Sequence, residues 1–362
     1  MDPGSPELLG EFSPRARGYL DSATYGLPPR STVATLREAL NGYADGTADW
    51  EQDWEPAGEV CRAIAGGMLG ADAQEIALLP AVSVGVSLVA ACLTPGDEVV
   101  VPDDEFTSLL FPLLVGAEHA GARVRRVPFA EVPNAVTPST TVVATSHVQS
   151  NGGAVADLDA VAQQGAAAGA LVVVDATHAM GILPIDTVRR GLDVVVAAAY
   201  KHLLCPRGVA FARVAPRVWD RLPPIAASWR GLRRPRNYYG GSPADLEPDA
   251  RRYDVSLAWL PWVGAAASLE FLDRIDEHVR GHWPIRLANE LAERLELPAT
   301  GSSILGVPVV ANAGVVLQAL AGAGLTASVR DHSVRLSFHV YSTLEDVDRA
   351  AAVLQGLRPA GA

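Results

Sequence analysis

Lys201 is the only lysine among 362 residues; every other basic side chain of the Lys/Arg type is arginine. Only a lysine amine can form a Schiff base with an aldehyde cofactor, because a guanidinium stays protonated at physiological pH. A general bias toward arginine would also leave an occasional lysine, but this one follows an apolar run, LDVVVAAAY. Asp175, 26 positions earlier, closes a similar run, LVVVD. Two strand-like segments thus end in residues that can do chemistry.

The elements needed to hold them are legible in the hydrophobic pattern. Short apolar runs (EVVVP, RVRRVPF, TTVVATS and the two above) alternate with helical periodicity near 31–43, 56–69 and 158–168. Such alternation implies a mostly parallel sheet covered on both faces. Ligands on these sheets bind at the carboxyl ends of strands, where Ser146, Asp175 and Lys201 fall. No G-x-G-x-x-G follows the first strand, which removes the main signature of a dinucleotide fold. In ALLPAVSVGVSLVAACL, a tight turn carrying Ser83, Val84 and Gly85 leads into an apolar helix. A helix N-terminus offers free N–H groups to a phosphate, although an ordinary N-cap serine reads the same way.

Nearly half the residues are apolar, as in a globular protein with a sizeable core. The formal net charge of −12 argues against nonspecific binding to nucleic acid or to anionic membranes. No apolar run has the length of a membrane span, and no secretory signal is visible at the N-terminus. Cys61, Cys92 and Cys205 are scattered and odd in number, which suits a reducing cytoplasm without disulfides or a metal site. All three are expected to be structural.

DATHAMG followed at that spacing by YKHLLCPRG resembles the class V aminotransferase and cysteine desulfurase family, pyridoxal 5'-phosphate (PLP) enzymes of fold type I. The resemblance runs from about Tyr19 to Leu357 and implies an α/β large domain with a seven-stranded, mostly parallel sheet and a small C-terminal α+β domain. It implies four segments: a flexible N-terminus (1–18), a segment packing on the small domain (19–45), the PLP-binding domain (46–255) and the small domain (256–362). Lys201 would hold the cofactor and act as general base, and Asp175 would pair with the ring nitrogen. Ser83, Val84 and Gly85 would cradle the phosphate, with Tyr200 and, from the other subunit of a homodimer, Ser256. Phe106 would stack on the ring. His178 stands where the family usually has a glutamine donating to the phenolic oxygen.

Arg335, in SVRLSFHVYSTLEDVDRA, matches the family's substrate-carboxylate arginine. Ala23, in YLDSATYG, would lie at the site mouth. Ser150, with Asn151 beside it, replaces the family asparagine that approaches substrate or cofactor, and Ser22 and Ser256 are further departures. Trp50, with Trp54 in a polar loop, would line the substrate entrance or pack against a neighbouring subunit. The family's desulfurases carry a nucleophilic cysteine shortly before the carboxylate arginine, whereas no cysteine follows Cys205 here. That favours β-elimination from a cysteine S-conjugate, free or carrier-bound, as in the cysteine-lyase-like members of actinobacterial sulfur and natural-product pathways. An aminotransferase or epimerase is the second reading, and a non-catalytic relative with a decayed site is the third.

Overall fold

The computed structural model describes residues 5–234, 238–309, 312–330 and 333–357. Among the described residues ten strands form two sheets: β1 (Ile76–Leu79), β2 (Glu98–Pro102), β3 (Arg123–Val127), β4 (Val142–Ser146), β5 (Leu171–Asp175), β6 (Val194–Ala198) and β7 (Ala210–Val214) make the first; β8 (Ile304–Pro308), β9 (Ser328–Arg330) and β10 (Ser333–Ser337) make the second. The large sheet has the order β1-β7-β6-β5-β4-β2-β3, and β7 alone runs antiparallel to its neighbours. The expected seven-stranded, mostly parallel architecture is what the chain adopts.

Period-two alternation explains why β4, β5 and β6 read as unbroken apolar runs. Val172, Val174, Val195 and Ala197 face a core shared with helices Ala57–Leu69, Leu158–Ala168 and Trp259–Asp273. Leu171, Val173, Val194, Val196 and Ala198 face the opposite core under helices Val82–Ala90 and Thr107–Ala120. Both faces are covered, so every position on these strands must be apolar until the carboxyl end.

Three boundaries differ from expectation. The described part of 1–18 is packed on the core: helix Pro6–Gly10 is capped by Ser5, Leu8, Phe12 and Ala16 are buried, and Phe12 meets Phe271 and Tyr341 edge-on. Leu8 on that helix, Phe12 just after it and Ala16 in the following turn supply the anchor. Helix Trp259–Asp273 packs with the large sheet, through Trp262, Ala265 and Leu269, rather than with the small domain. The small domain's own core begins at Leu287 and closes over β8, β9 and β10. Residues 18–21 do join that domain, since Leu20 N–H donates to Thr326 O (2.9 Å) and Leu20 O accepts from Ser337 N–H (2.8 Å). The helix that follows, Arg30–Asp45, packs instead on Trp259–Asp273.

Candidate active site

The carboxyl ends of β4, β5 and β6 converge. Ser146 pairs with Asp175 across the β4–β5 register, and His147 N–H donates to Asp175 O (2.9 Å). Lys201 lies three residues beyond β6, in the turn that reverses the chain into β7. Its amine is buried 3.1 Å from His178 Nε2 and sits over the Phe106 and Tyr200 rings, 5.1 and 5.9 Å from their centroids. Burial pushes the amine down to about 8, against the pull of Asp175 and with the help of Arg335, Arg330 and Arg207. A lysine held near neutrality is equipped as nucleophile and base.

Asp175 is buried as well, and its Oδ1 accepts the Thr177 N–H (2.8 Å). Desolvation raises its carboxyl above the ordinary range, opposed by Thr177 and Lys201. The Thr177 hydroxyl accepts the Ala198 N–H (3.0 Å), which locks the end of β5 to β6. A cavity opens between these residues, bounded by Ala81, Val82, Phe106, Tyr200, Lys201 and Arg207. Phe106 is 42% exposed, so it is a wall of that cavity and not core.

Within the single chain the remaining candidate residues have the following neighbours. The helix begins at Val82, one position before Ser83; Ala81 and Val82 line the cavity, and Ser83 and Val84 follow in the first turn, half-buried. Gly85 faces the sheet: a Cβ there would stand 2.7 Å from Val196 Cγ1, so its smallness serves helix packing rather than phosphate approach. Ser256 Oγ accepts the Trp229 indole N–H (3.2 Å), and Trp50 stacks on Trp259 with centroids 5.2 Å apart. Both belong to an aromatic cluster with Trp229 and not to the lysine cavity's lining.

Arg335 sits on the central strand of the small sheet, 1% exposed. It donates to Ser150 O (2.9 Å), Ser150 Oγ (3.1 Å) and Thr24 Oγ1 (2.8 Å), and approaches Asp21 (3.4 Å). Ser150 is therefore a neighbour of the arginine. Asn151 is spent on Asp104 (3.1 Å), and the Ala23 N–H on Ser337 Oγ (2.6 Å), two positions after Arg335. The N-terminal segment crosses the lysine turn: Gly26 N–H donates to Tyr200 O (2.9 Å), and a Cβ on Gly26 would lie 2.1 Å from Lys201 O.

Cys205 is buried, with its thiol directed at Leu203 O (3.2 Å) and its acidity suppressed far beyond the usual thiol range by burial. Cys61 is core, and Cys92 is half-buried at the core's margin. Among the described residues, no three His, Cys, Asp or Glu side chains are grouped to hold a metal ion.

Four site residues escaped the sequence reading. Glu105, buried, accepts from Phe106 N–H (2.7 Å), Ser146 N–H (2.8 Å) and Ser146 Oγ–H (2.6 Å), and so fixes the Phe106 loop to the end of β4. Its neighbour Phe106 was the only signal. Arg207 stacks on Tyr200 (5.2 Å) at the cavity rim. His202 and His339 continue inward from His178; each lies in a motif quoted above, beside Lys201 and near Arg335, but no local pattern brings them together.

A buried amine, a buried carboxylate, an aromatic wall and a helix N-terminus with an adjacent guanidinium define an enzyme site built for an aldehyde cofactor with an anionic tail. The chain matches the aminotransferase class-V model over residues 18–322 and belongs to that family. It is 29% identical to an uncharacterized aminotransferase, YcbU of Bacillus subtilis, over 78% of this chain and 79% of that protein. It is 30% identical to isopenicillin N epimerase of Streptomyces clavuligerus over 56% of each, and 27% identical to a probable cysteine desulfurase of Aeropyrum pernix over 76% and 72%. In three dimensions it resembles the cysteine desulfurase CsdA of Escherichia coli (TM-score 0.83, 21% identity, 97% of both chains). It also resembles the cystine C-S lyase C-DES in complex with cysteine persulfide (TM-score 0.84, 19% identity, 94% and 98%). At those identities the likeness speaks for the fold. The cofactor is pyridoxal 5'-phosphate, and the residues fit it: Asp175 is a buried carboxylate in want of a cation, and Lys201 is an amine poised to lose its proton.

Proposed function

We propose that this class V enzyme is a carbon–sulfur lyase that cleaves a cysteine S-conjugate by β-elimination. The observation that carries the reading is the pairing of a near-neutral Lys201 with no available thiol: Cys205 is buried and bonded inward, and no cysteine follows it. A persulfide route needs a cysteine nucleophile, whereas elimination needs a base and a leaving thiolate. Isopenicillin N epimerase and YcbU among the relatives favour the second reading, an epimerase or aminotransferase.

Bound PLP supplies an electron sink that labilises bonds at the substrate's α-carbon. Lys201 holds the cofactor and then takes the α-proton on Nζ. As the Cα–H bond breaks, its electron pair forms the Cα=Cβ bond, and the Cβ–S pair leaves on sulfur. The freed enamine hydrolyses to pyruvate and ammonia. Arg335 receives the α-carboxylate, oriented by Ser150 and Thr24. Asp175 would balance the ring's charge, Phe106 would supply an aromatic wall for it, and the N-terminus of Val82–Ala90 with Arg207 and Tyr200 would hold the phosphate. The lyase works in our reading as a cytoplasmic homodimer in actinobacterial sulfur or natural-product metabolism, on a free or carrier-bound substrate.

Purified holoenzyme given cysteine S-conjugates is expected to release thiol and pyruvate in equal amounts. A 2-oxo acid that keeps its sulfur would identify an aminotransferase. Solvent deuterium entering Cα with neither product would identify an epimerase. Arg207→Ala is expected to weaken retention of PLP about 10-fold or more, from loss of one charge-assisted contact of about 1.5–3 kcal/mol. Retention of pyridoxal, which lacks the phosphate, should not change, and equilibrium dialysis of both ligands checks it.

A further inference from the structure

A file of buried imidazoles leads inward from Lys201. His178 Nδ1 lies 3.4 Å from His202 Nε2, on the side opposite its contact with the lysine. The His202 ring lies parallel to that of His339 (7°, centroids 5.9 Å apart), and His339 in turn stacks on Tyr341 (5.0 Å). Tyr341 closes the file with a 2.7 Å hydrogen bond to Ser22. All three histidines are buried, and desolvation holds them neutral: His339 falls to about 4, His178 and His202 well below the usual imidazole range. A neutral imidazole carries one proton, so one nitrogen donates and the other accepts.

Hydrogen-bond accounting decides which. His339 Nε2 faces His202 O (2.9 Å), and a carbonyl only accepts, so the proton of His339 is on Nε2. For His202 there are two arrangements. A proton on Nδ1 would bury an N–H without a partner, since that atom has none among the described residues. A proton on Nε2 is donated to His178 Nδ1 and leaves only a bare acceptor at Nδ1. Orphaned buried N–H groups are rarer than under-satisfied acceptors, which selects the second arrangement. His178 Nδ1 then accepts, and its proton must sit on Nε2, toward the lysine.

We propose that His202 is a positioning residue that locks His178 in its Nε2–H form, so that His178 presents a fixed donor to the Lys201 nitrogen. An amide offers such a donor whatever the pH, because it does not titrate. An imidazole in the same place does so only if its proton is pinned to the near nitrogen, and His202 is the pin. A donor aimed at the lysine nitrogen favours the unprotonated form of that nitrogen, in the same direction as burial. The proposal rests on Lys201 being the reactive amine, and not on which reaction follows.

Two measurements on the holoenzyme test it. The first is a two-bond proton–nitrogen spectrum of protein labelled with nitrogen-15 histidine, which distinguishes the two neutral forms. His178 is expected as Nε2–H; finding it as Nδ1–H, or as imidazolium, overturns the proposal. The second is the pH titration of the bound cofactor's absorption, whose midpoint reports on the Lys201 nitrogen. The other groups facing Lys201 are Asp175, Tyr200, Arg207, Arg330 and Arg335, and those facing His178 are His202, Arg330 and Arg335. None but His202 is altered. His202→Leu is expected to raise the midpoint by about one pH unit, and His202→Gln, which keeps a donor toward His178, to restore it. A His202→Leu protein that keeps both the midpoint and the His178 form of the wild type contradicts the idea. Should that variant fail to fold, the wild-type spectrum decides alone. Loss of lyase activity with an unmoved midpoint would count against the proposal and leave the reaction assignment to its own assay.

Discussion

Lys201→Ala is expected to lower turnover by at least about 10³-fold on any substrate, because it removes at once the cofactor's covalent anchor and the base that takes the α-proton. No neighbour can replace either role. No other lysine exists in the chain, the nearest nitrogen belongs to His178, and burial keeps that imidazole far less basic than an amine. The fold should survive: the amine makes no salt bridge among the described residues, and its removal relieves a desolvation penalty. Single-turnover rates and a thermal unfolding curve on the same preparation separate the two effects. A variant retaining a tenth of wild-type turnover would remove Lys201 from the chemistry.

Asp175→Asn has the second largest expected effect and a distinctive split. Removing one partner of a buried charge pair costs about 3–5 kcal/mol. At about 1.4 kcal/mol per tenfold, that is a loss of roughly two to three and a half orders of magnitude in turnover. Without cofactor the sign reverses. The folded-state carboxyl is raised by burial, so ionised Asp175 destabilises the apoprotein in full above that raised value, and the penalty fades as pH falls from there to the ordinary carboxylate value. The apo form of Asp175→Asn should therefore unfold at a temperature equal to or above that of wild type, while the rise in Tm on adding PLP shrinks. A large Tm loss in the apo variant would mean that Asp175 is structural.

What the amino-acid pattern revealed and what it hid have different physical origins. Strands β4, β5 and β6 are buried on both faces and must be unbroken apolar runs, so they stand out, and Asp175 and Lys201 stand out as the polar residues that end them. Arg335 was legible only through the resemblance of SVRLSFHVYSTLEDVDRA to the family's closing segment, and its burial between β8 and β9 depends on pairing that no local pattern reports. For Gly85 two demands coincide, because a phosphate-type turn and a helix packed closely on a sheet both call for small residues. Ser256 and Trp50 meet aromatic partners 27 and 209 positions distant, contacts that no local pattern reports. His202 directly follows Lys201 and His339 lies four positions after Arg335, but their pairing was hidden: 137 residues separate them, and only the folded chain stacks their rings.

The claim beneath all of this is that one amine carries the cofactor. Reducing the PLP-loaded protein with borohydride and mapping its peptides should place a single stable pyridoxyl adduct, in full yield, on the peptide containing Lys201. An unmodified Lys201 peptide from protein that had been saturated with PLP would contradict it.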